Sequence, residues 1–263
     1  SMTDYSQSIP VVVGVTALFI IGGLGWGVLL DMNGARQGRR LGLHSRLMLV
    51  GTAVLLVVGT LGVAIMEWQN PATLGGMSSA WERIGGAWFQ AATPRTAGFS
   101  TVDIGGLQDE TSLFMMLLMF IGAGAASTGG GIKVTTAVVM VLAAVAFYRR
   151  RDEIHVFSRT LGFKTVMKVL AVAVSAGALV LTGTFALAAV SEAPFLDLAF
   201  EAVSAFGTVG LSRGVTSDLG VAGQTVLIVL MFSGRVLPLT LGYFLLVTRR
   251  RKVDYPRGEI FLG

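Results

Sequence analysis

The sequence has no cysteine, and only 13% of its 263 residues are charged. Without cysteine, the chain has no disulfides, thiolate metal sites or cysteine nucleophiles, and its redox compartment is left open. Soluble domains carry about 25% charged residues. Half of that share, beside 53% apolar residues, therefore indicates a membrane protein.

Long apolar runs place the membrane crossings. The runs cover residues 11–30, 47–66, 112–148, 169–190 and 221–248. Each has at least the roughly 20 residues that a bilayer requires, so five crossings are expected. The glycine cluster at residues 22–27 lacks the spacing of a dinucleotide fingerprint, and close helix packing through small residues is the better interpretation.

Charge is divided between the two sides of these runs. Fifteen of the 20 Lys and Arg lie within residues 31–46, 149–168 and 249–257, and ten of the 15 acids lie on the other side. The positive-inside rule predicts a multi-pass protein of the cell membrane with cytoplasmic basic loops and C-terminus. This partition explains the net charge of +5 without a nucleic-acid partner.

An internal repeat organises the chain. Thr-Ala-Gly-Phe-Ser begins at 96 and Thr-Val-Gly-Leu-Ser begins at 208, a difference of 112. At the same offset, Ala87-Trp88 matches Ala199-Phe200, and residues 118–122 match 230–234. Each copy has the order hydrophobic helix, short helix, glycine loop, hydrophobic helix, which is typical of pore-loop channels.

We therefore predict an all-α polytopic membrane protein built from tandem membrane-pore loop-membrane repeats. The expected divisions are residues 1–32, the last helix of an incomplete repeat, and two complete repeats at 33–148 and 149–263. The second helix of the first complete repeat is expected to be broken.

The two glycine loops, residues 96–99 and 208–211, are the predicted selectivity filter and are called the filter-like loops. Glycine permits the backbone conformations that bring successive carbonyls to one side, so Gly98 and Gly210 are the predicted pivots. The short helices point their negative C-terminal ends at the loops, which favours a cation. The predicted K⁺ ligands are the carbonyls of Thr96, Ala97, Gly98, Thr208, Val209 and Gly210, and the site extends to Phe99 and Leu211. The alternative is a pair of ordinary external turns.

A glycine-rich interruption at residues 122–133, called the helix break, divides the long third run. Irregular backbone at membrane depth is tolerated where it lines a cavity or is buried in protein. Lys133 lies inside the apolar run at a cost of about 2.5–3.5 kcal/mol, and Arg235 lies at matching depth in the last run. We expect a gate formed by Gly129, Gly130, Gly131, Lys133 and Arg235. The alternative is a packed glycine/alanine interface with Lys133 near the cytoplasmic boundary. For Arg95, a brace for the filter and an outer-surface charge are both open.

Four stretches together resemble the Trk/Ktr/HKT superfamily of potassium transporters, and most closely its Ktr-type membrane subunit. They are residues 93–103, 127–133 and 204–212, and the pair Gly234-Arg235. The resemblance implies K⁺ uptake through four such repeats around one pathway, with a gating loop in the third repeat and a facing arginine in the last helix. It also implies a homodimer in membrane lipid and a cytoplasmic nucleotide-binding regulatory ring of the RCK/KTN type.

Two features depart from that pattern. Leu237 stands where the superfamily usually has glycine, and the helix break reads Gly-Ala-Gly-Ala-Ala-Ser-Thr-Gly-Gly-Gly where the usual pattern carries a proline and an alanine. Only the third and fourth repeats are complete, so a C-terminal portion with half of a filter is expected. A non-conducting fragment that assists or regulates the full subunit is the alternative function. No acid, base or nucleophile cluster lies at membrane depth, so neither an enzyme nor an organic cofactor is expected.

Overall fold

The computed structural model describes residues 8–151 and 153–246, without the side chains of Ile9 and residues 237–246. The start of the predicted first division, the side chain of Leu237 and the basic C-terminal tail therefore lie outside the described residues. The helices in the described part are α1 (Ile9–Leu24), α2 (Trp26–Arg36), α3 (Leu43–Glu67), α4 (Ala80–Ala92), α5 (Asp109–Phe120), α6 (Val134–Tyr148), α7 (Phe163–Val190), α8 (Phe195–Gly207) and α9 (Val221–Leu246), with 3-10 turns at Leu74–Gly76 and Val215–Ser217.

Within the described residues, two helices, α3 and α7, are long and apolar enough by themselves to cross a membrane. The bent pair of α1 and α2 makes a third if it is counted as one span. The run at residues 112–148 is divided into α5 and α6, which confirms that this helix is broken. The first of the five expected crossings needs correction.

A sharp bend at Gly25 divides the apolar run at residues 11–30 into α1 and α2, whose axes differ by 98°. Gly25 has φ of +88°, which an α-helix cannot accommodate. The backbone groups freed by the bend bond to the helix break: Gly124 N donates to Gly23 O at 2.7 Å, and Trp26 N donates to Ala126 O at 3.3 Å. The bend is therefore stabilised by tertiary contacts that the local sequence does not reveal.

The two repeats lie side by side, with α5 packed against α8 and α6 against α7. Met115, Met119, Phe200 and Phe206 belong to their shared core. The Phe120 and Phe206 rings stack with centroids 5.9 Å apart at this boundary. This packing brings the C-terminal ends of the short helices α4 and α8 toward the middle of the structure.

The sequence predicts the short helices at residues 81–93 and 194–206, and α4 and α8 begin and end within one residue of these limits. Ser78 or Ser79 is the expected cap of the first, and Ser79 accepts a hydrogen bond from Glu82 N at 3.2 Å at the start of α4. The gapless match of Trp88 with Phe200 is wrong, because Trp88 is 36% exposed whereas Phe200 is fully buried. Phe89 on α4 is fully buried and corresponds to Phe200 on α8. The offset between the two short helices is therefore 111 residues (from 89 to 200), whereas the offset between the two loops is 112.

The basic linker before α7 contains a β-hairpin that the sequence analysis did not predict. Strand β1 (Ile154–Val156) pairs antiparallel with β2 (Arg159–Leu161). Phe157 and Ser158 form the turn with positive φ angles, and the Arg46 guanidinium lies 5.9 Å from the centre of the Phe157 ring. The all-α prediction therefore holds for the apolar segments but not for this linker.

Candidate functional site

The filter-like loops share one unusual backbone pattern. Thr96 and Gly98 have φ of +69° and +72°, and Thr208 and Gly210 have +51° and +92°. The residue between them, Ala97 or Val209, does not have positive φ. A backbone in which φ alternates in sign can point successive peptide groups to one side of the chain.

Each loop is tied to its short helix by one hydroxyl-bearing residue. Thr93 accepts from Ala97 N at 3.1 Å, and its Oγ1 donates to Phe99 O at 2.5 Å. Ser204 accepts from Val209 N at 2.9 Å, and its Oγ donates to Leu211 O at 2.6 Å. The same pair of contacts closes both loops, although three residues separate Ser204 from Thr208 and only two separate Thr93 from Thr96. An ordinary external turn does not require this matched support.

The two loops also contact each other. A Cβ atom added to Gly98 would lie 2.5 Å from the carbonyl oxygen of Val209. A Cβ on Gly210 would lie 3.5 Å from Gly98 Cα. The glycines are thus required both by their positive φ and, at Gly98, by the close approach of the opposite backbone.

A buried carboxylate supports the chain after the second loop. Glu201, on α8, is 4% exposed and accepts from Ser212 Oγ and Thr216 Oγ1, both at 2.6 Å, and from Arg213 N at 3.0 Å. At the equivalent position of α4, Gln90 is buried and its amide makes no hydrogen bond within the described residues. From the sequence, Glu201 is one of the ten acids on the outer side, and nothing there indicates its hydrogen bonds to the chain after the second loop.

Arg95 precedes the first loop and is only 7% exposed. Its Nη2 donates to Thr52 Oγ1 on α3 at 3.1 Å. Of the two predictions for Arg95, the outer-surface charge is therefore wrong, and the role as a brace for the filter stays a prediction because the hydrogen bond goes to α3.

The helix break lies against both filter-like loops. Its ends are joined by Gly122 N donating to Ile132 O at 2.9 Å and Ile132 N donating to Phe120 O at 3.2 Å. From this closed base, Gly130 N reaches Thr208 Oγ1 at 3.0 Å. A Cβ on Gly129 would lie 2.6 Å from Thr96 Oγ1, so the glycines allow the close approach.

Two cationic side chains hold the carbonyls of the helix break. Lys133 Nζ donates to Gly129 O at 2.7 Å, and Arg235 Nη1 donates to Thr128 O. The structure thus brings Gly129, Gly130, Gly131, Lys133 and Arg235 together, with Gly131 at φ of +66°. Lys133 is half-buried and bonded within the break.

Comparison with known proteins agrees with this architecture. The family model of TrkH, described as a cation transport protein, matches residues 1–252. The chain belongs to the TrkH family. This TrkH-family chain is 44% identical over 249 residues to Ktr system potassium uptake protein B of Bacillus subtilis (strain 168), covering 95% of the chain and 56% of the relative. It is 39% identical over 265 residues to Ktr system potassium uptake protein B of Vibrio alginolyticus, covering 100% and 58%.

Among solved structures, the potassium transporter TrkH from Vibrio parahaemolyticus superposes with a TM-score of 0.69 at 20% identity. The match covers 88% of this TrkH-family chain and 51% of that transporter, and it supports the fold. The chain spans somewhat more than half the length of the two Ktr relatives.

Proposed function

We propose that the chain is the C-terminal portion of a pore-forming subunit that takes up K⁺ across the cell membrane. The observation that carries the proposal is the pair of opposed loops in which φ alternates in sign, each at the C-terminal end of a short helix. Carbonyl oxygens in such a row replace the water shell of a cation, and the helix ends add negative potential. The potassium uptake function named for the two Ktr relatives supports the same substrate.

In this proposal, residues 33–148 and 149–263 are the third and fourth repeats, and residues 1–32 end the second. The K⁺ ligands are the carbonyls of Thr96, Ala97, Gly98, Thr208, Val209 and Gly210, with Phe99 and Leu211 completing the loops. Because two loops form only half of a ring, the complete filter needs the two other repeats. The basic loops and the C-terminus face the cytoplasm, the subunit forms a homodimer, and a nucleotide-binding ring regulates it from that side.

The helix break is the gate in this proposal. The carbonyls of Thr128 and Gly129 bond to Arg235 and Lys133, so two fixed positive charges lie beside the path of a cation. An ion that leaves the filter-like loops toward the helix break is therefore opposed both by the backbone of the break and by these two positive charges.

The test is the Gly210→Ser exchange in the full-length protein, with Gly214→Ser as the matched control. Gly214 also has strongly positive φ, at +99° against +92° for Gly210, and both glycines are exposed, but Gly214 lies outside the filter-like loops and has open space around it. Both exchanges strain the backbone, and only Gly210→Ser distorts a proposed cation ligand. We expect Gly210→Ser to lower the ratio of K⁺ to Na⁺ tracer uptake at least severalfold, and Gly214→Ser to leave it unchanged. Equal ratios in both variants would contradict the filter assignment.

A further inference from the structure

We propose that the helix break and a bound cation compete for the hydroxyl of Thr208, so that K⁺ in the filter and closure of the break oppose each other. This inference rests on the proposed function and adds a regulatory property to the same site. According to this inference, binding of the transported K⁺ favours movement of the helix break away from Thr208. The coupling runs through one side chain and one peptide group.

The decisive geometry is the peptide group that joins Gly129 to Gly130. Its carbonyl oxygen accepts from Lys133 Nζ at 2.7 Å, and its N–H donates to Thr208 Oγ1 at 3.0 Å. The ammonium thus binds the negative end of the peptide dipole, and the positive end is directed at Thr208. Hydrogen bonds in such a chain polarise and strengthen one another.

Thr208 is the member of the second filter-like loop that the break touches, and the loop runs from it toward Leu211. It ends helix α8 with φ of +51° and ψ of +41°. A Cβ on Gly130 would collide with the Thr208 hydroxyl, so glycine is needed for this contact. The hydroxyl therefore lies at the end of the proposed ion path that faces the break.

The chemistry of the hydroxyl makes the closed break and a bound cation compete. A threonine hydroxyl has two lone pairs, and the Gly130 N–H occupies one of them in the closed break. The same N–H presents the positive end of a dipole to any cation at this level, where low dielectric strengthens the repulsion. A cation that coordinates the Thr208 oxygen is therefore bound more tightly when the break has moved away.

Thermodynamic linkage makes the effect reciprocal: the factor by which closure weakens K⁺ binding is the factor by which K⁺ favours opening. One net hydrogen bond of ordinary strength corresponds to about a fivefold change in an equilibrium constant. We expect an effect of about this size, and a larger one if the dipole repulsion adds to it.

Thr96 is the natural control within the same site. It has the equivalent place in the first loop and a positive φ of +69°, and the position of a Cβ on Gly129 is 2.6 Å from its Oγ1. Among the described residues, however, the hydrogen bond from the break to a filter threonine goes to Thr208. Removal of the Thr96 hydroxyl should leave the coupling in place.

The experiment is hydrogen–deuterium exchange of the segment at residues 122–133 in the purified full-length protein, with K⁺ or choline at equal ionic strength. K⁺ binding to the same sample is measured by calorimetry. We expect K⁺ to raise the exchange rate of this segment about fivefold. Thr208→Val keeps the branched shape without the hydroxyl, so its exchange should be fast in choline and insensitive to K⁺. Thr208→Ser and Thr96→Val should both retain the K⁺ effect.

The outcomes separate this inference from the proposed function. If calorimetry detects K⁺ binding but the wild-type segment exchanges equally in K⁺ and choline, the competition does not exist and the filter assignment stands. A K⁺ effect that survives Thr208→Val would also overturn the inference, because the coupling would not pass through this hydroxyl. If K⁺ does not bind at all, the proposed function itself fails. The wild-type comparison needs no variant, so a folding defect in Thr208→Val leaves the test decisive.

Discussion

At the scale of single residues, Gly98 and Gly210 are alike in conformation but differ in surroundings. Both have positive φ, which costs an L-residue about 1–2 kcal/mol. An added methyl group on Gly98 meets the Val209 carbonyl oxygen at 2.5 Å, and one on Gly210 meets Gly98 Cα at the ordinary contact distance of 3.5 Å. Sequence alone makes the two positions equivalent, and the structure makes them unequal.

We therefore expect Gly98→Ala to damage K⁺ uptake more than Gly210→Ala does. The first variant displaces a proposed K⁺ ligand of the neighbouring repeat, so uptake should fall at least tenfold. The second mainly strains its own loop and should keep a larger share of the rate with weaker selectivity. The measurement is K⁺ uptake by cells that lack other uptake systems, normalised to the amount of protein in the membrane. Equal rates in the two variants would show that the Gly98 contact is relaxed in the working protein.

At the scale of elements, the helix that follows the filter-like loop is broken in the first repeat and continuous in the second. The helix after the first loop ends at Phe120, and α9 continues unbroken from Val221 to Leu246. At the level where α5 ends, α9 has Gly234. Because this residue has no side chain, the backbone of Phe206 can pack directly against α9. The next residue, Arg235, bonds to the break. The intact helix thus supports the broken one.

Deletion of residues 129–131 should raise basal K⁺ flux and make it less dependent on the proposed regulatory ring. The deletion removes the backbone that contacts both filter-like loops and the carbonyl that Lys133 holds. Arg235→Ala should act in the same direction because it frees the Thr128 carbonyl, and Arg235→Lys, which keeps a charged donor, should act less. Flux into proteoliposomes with and without the ring measures the effect.

Size-exclusion profiles of these variants control for folding. If the variants fold normally and keep wild-type flux and regulation, the helix break is a packing element and not a gate. The alternative of a packed glycine/alanine interface would then be correct.

At the scale of the whole molecule, Arg213 joins the two repeats beside the filter-like loops. Its Nε donates to Asp197 Oδ1 on α8 at 2.5 Å. Its Nη1 donates to Ser112 Oγ on α5, and its Nη2 lies 3.8 Å from Asp109 Oδ1. The side chain is 11% exposed, and its planar fork suits several acceptors at once. The repeats are therefore linked by polar contacts beyond their shared apolar core.

Arg213→Ala should lower the stability of the full-length protein by about 2 kcal/mol, the typical value for a hydrogen-bonded charged group. Arg213→Lys should give an intermediate loss because a lysine cannot reproduce the fork. Thermal unfolding in detergent is the measurement, and Arg159→Ala, an exposed hairpin residue, is the control that should change little. An Arg213→Ala midpoint equal to that of the control would mean that the repeats are held by apolar packing alone.

Local patterns were enough to predict several elements of this molecule. The offset between Thr96 and Thr208 identified the paired loops because each needs the same glycine. The glycines at residues 122–133 predicted the break because glycine disfavours the interior of a helix. Ser79 caps α4 because a short polar side chain satisfies the first free N–H groups.

Other features depend on groups that are far apart in the chain. Gly25 could have continued a helix. It bends because the break supplies partners for Gly23 O and Trp26 N. Arg95 could have been solvated, but its contact is with Thr52 on α3. Nothing in the sequence of α4 indicated that the two short helices correspond at an offset of 111 residues while the two loops correspond at 112.

The sequence by itself determined the membrane character, the repeated order of elements and the helix break, because composition, length and clustered glycines act locally. Only the tertiary structure decided which freed backbone groups meet. The N–H of Gly130 reaches Thr208, 78 residues away, and the guanidinium of Arg235 reaches Thr128, 107 residues away. Such pairings depend on how the two repeats pack, since a buried polar group must find a partner wherever the fold provides one.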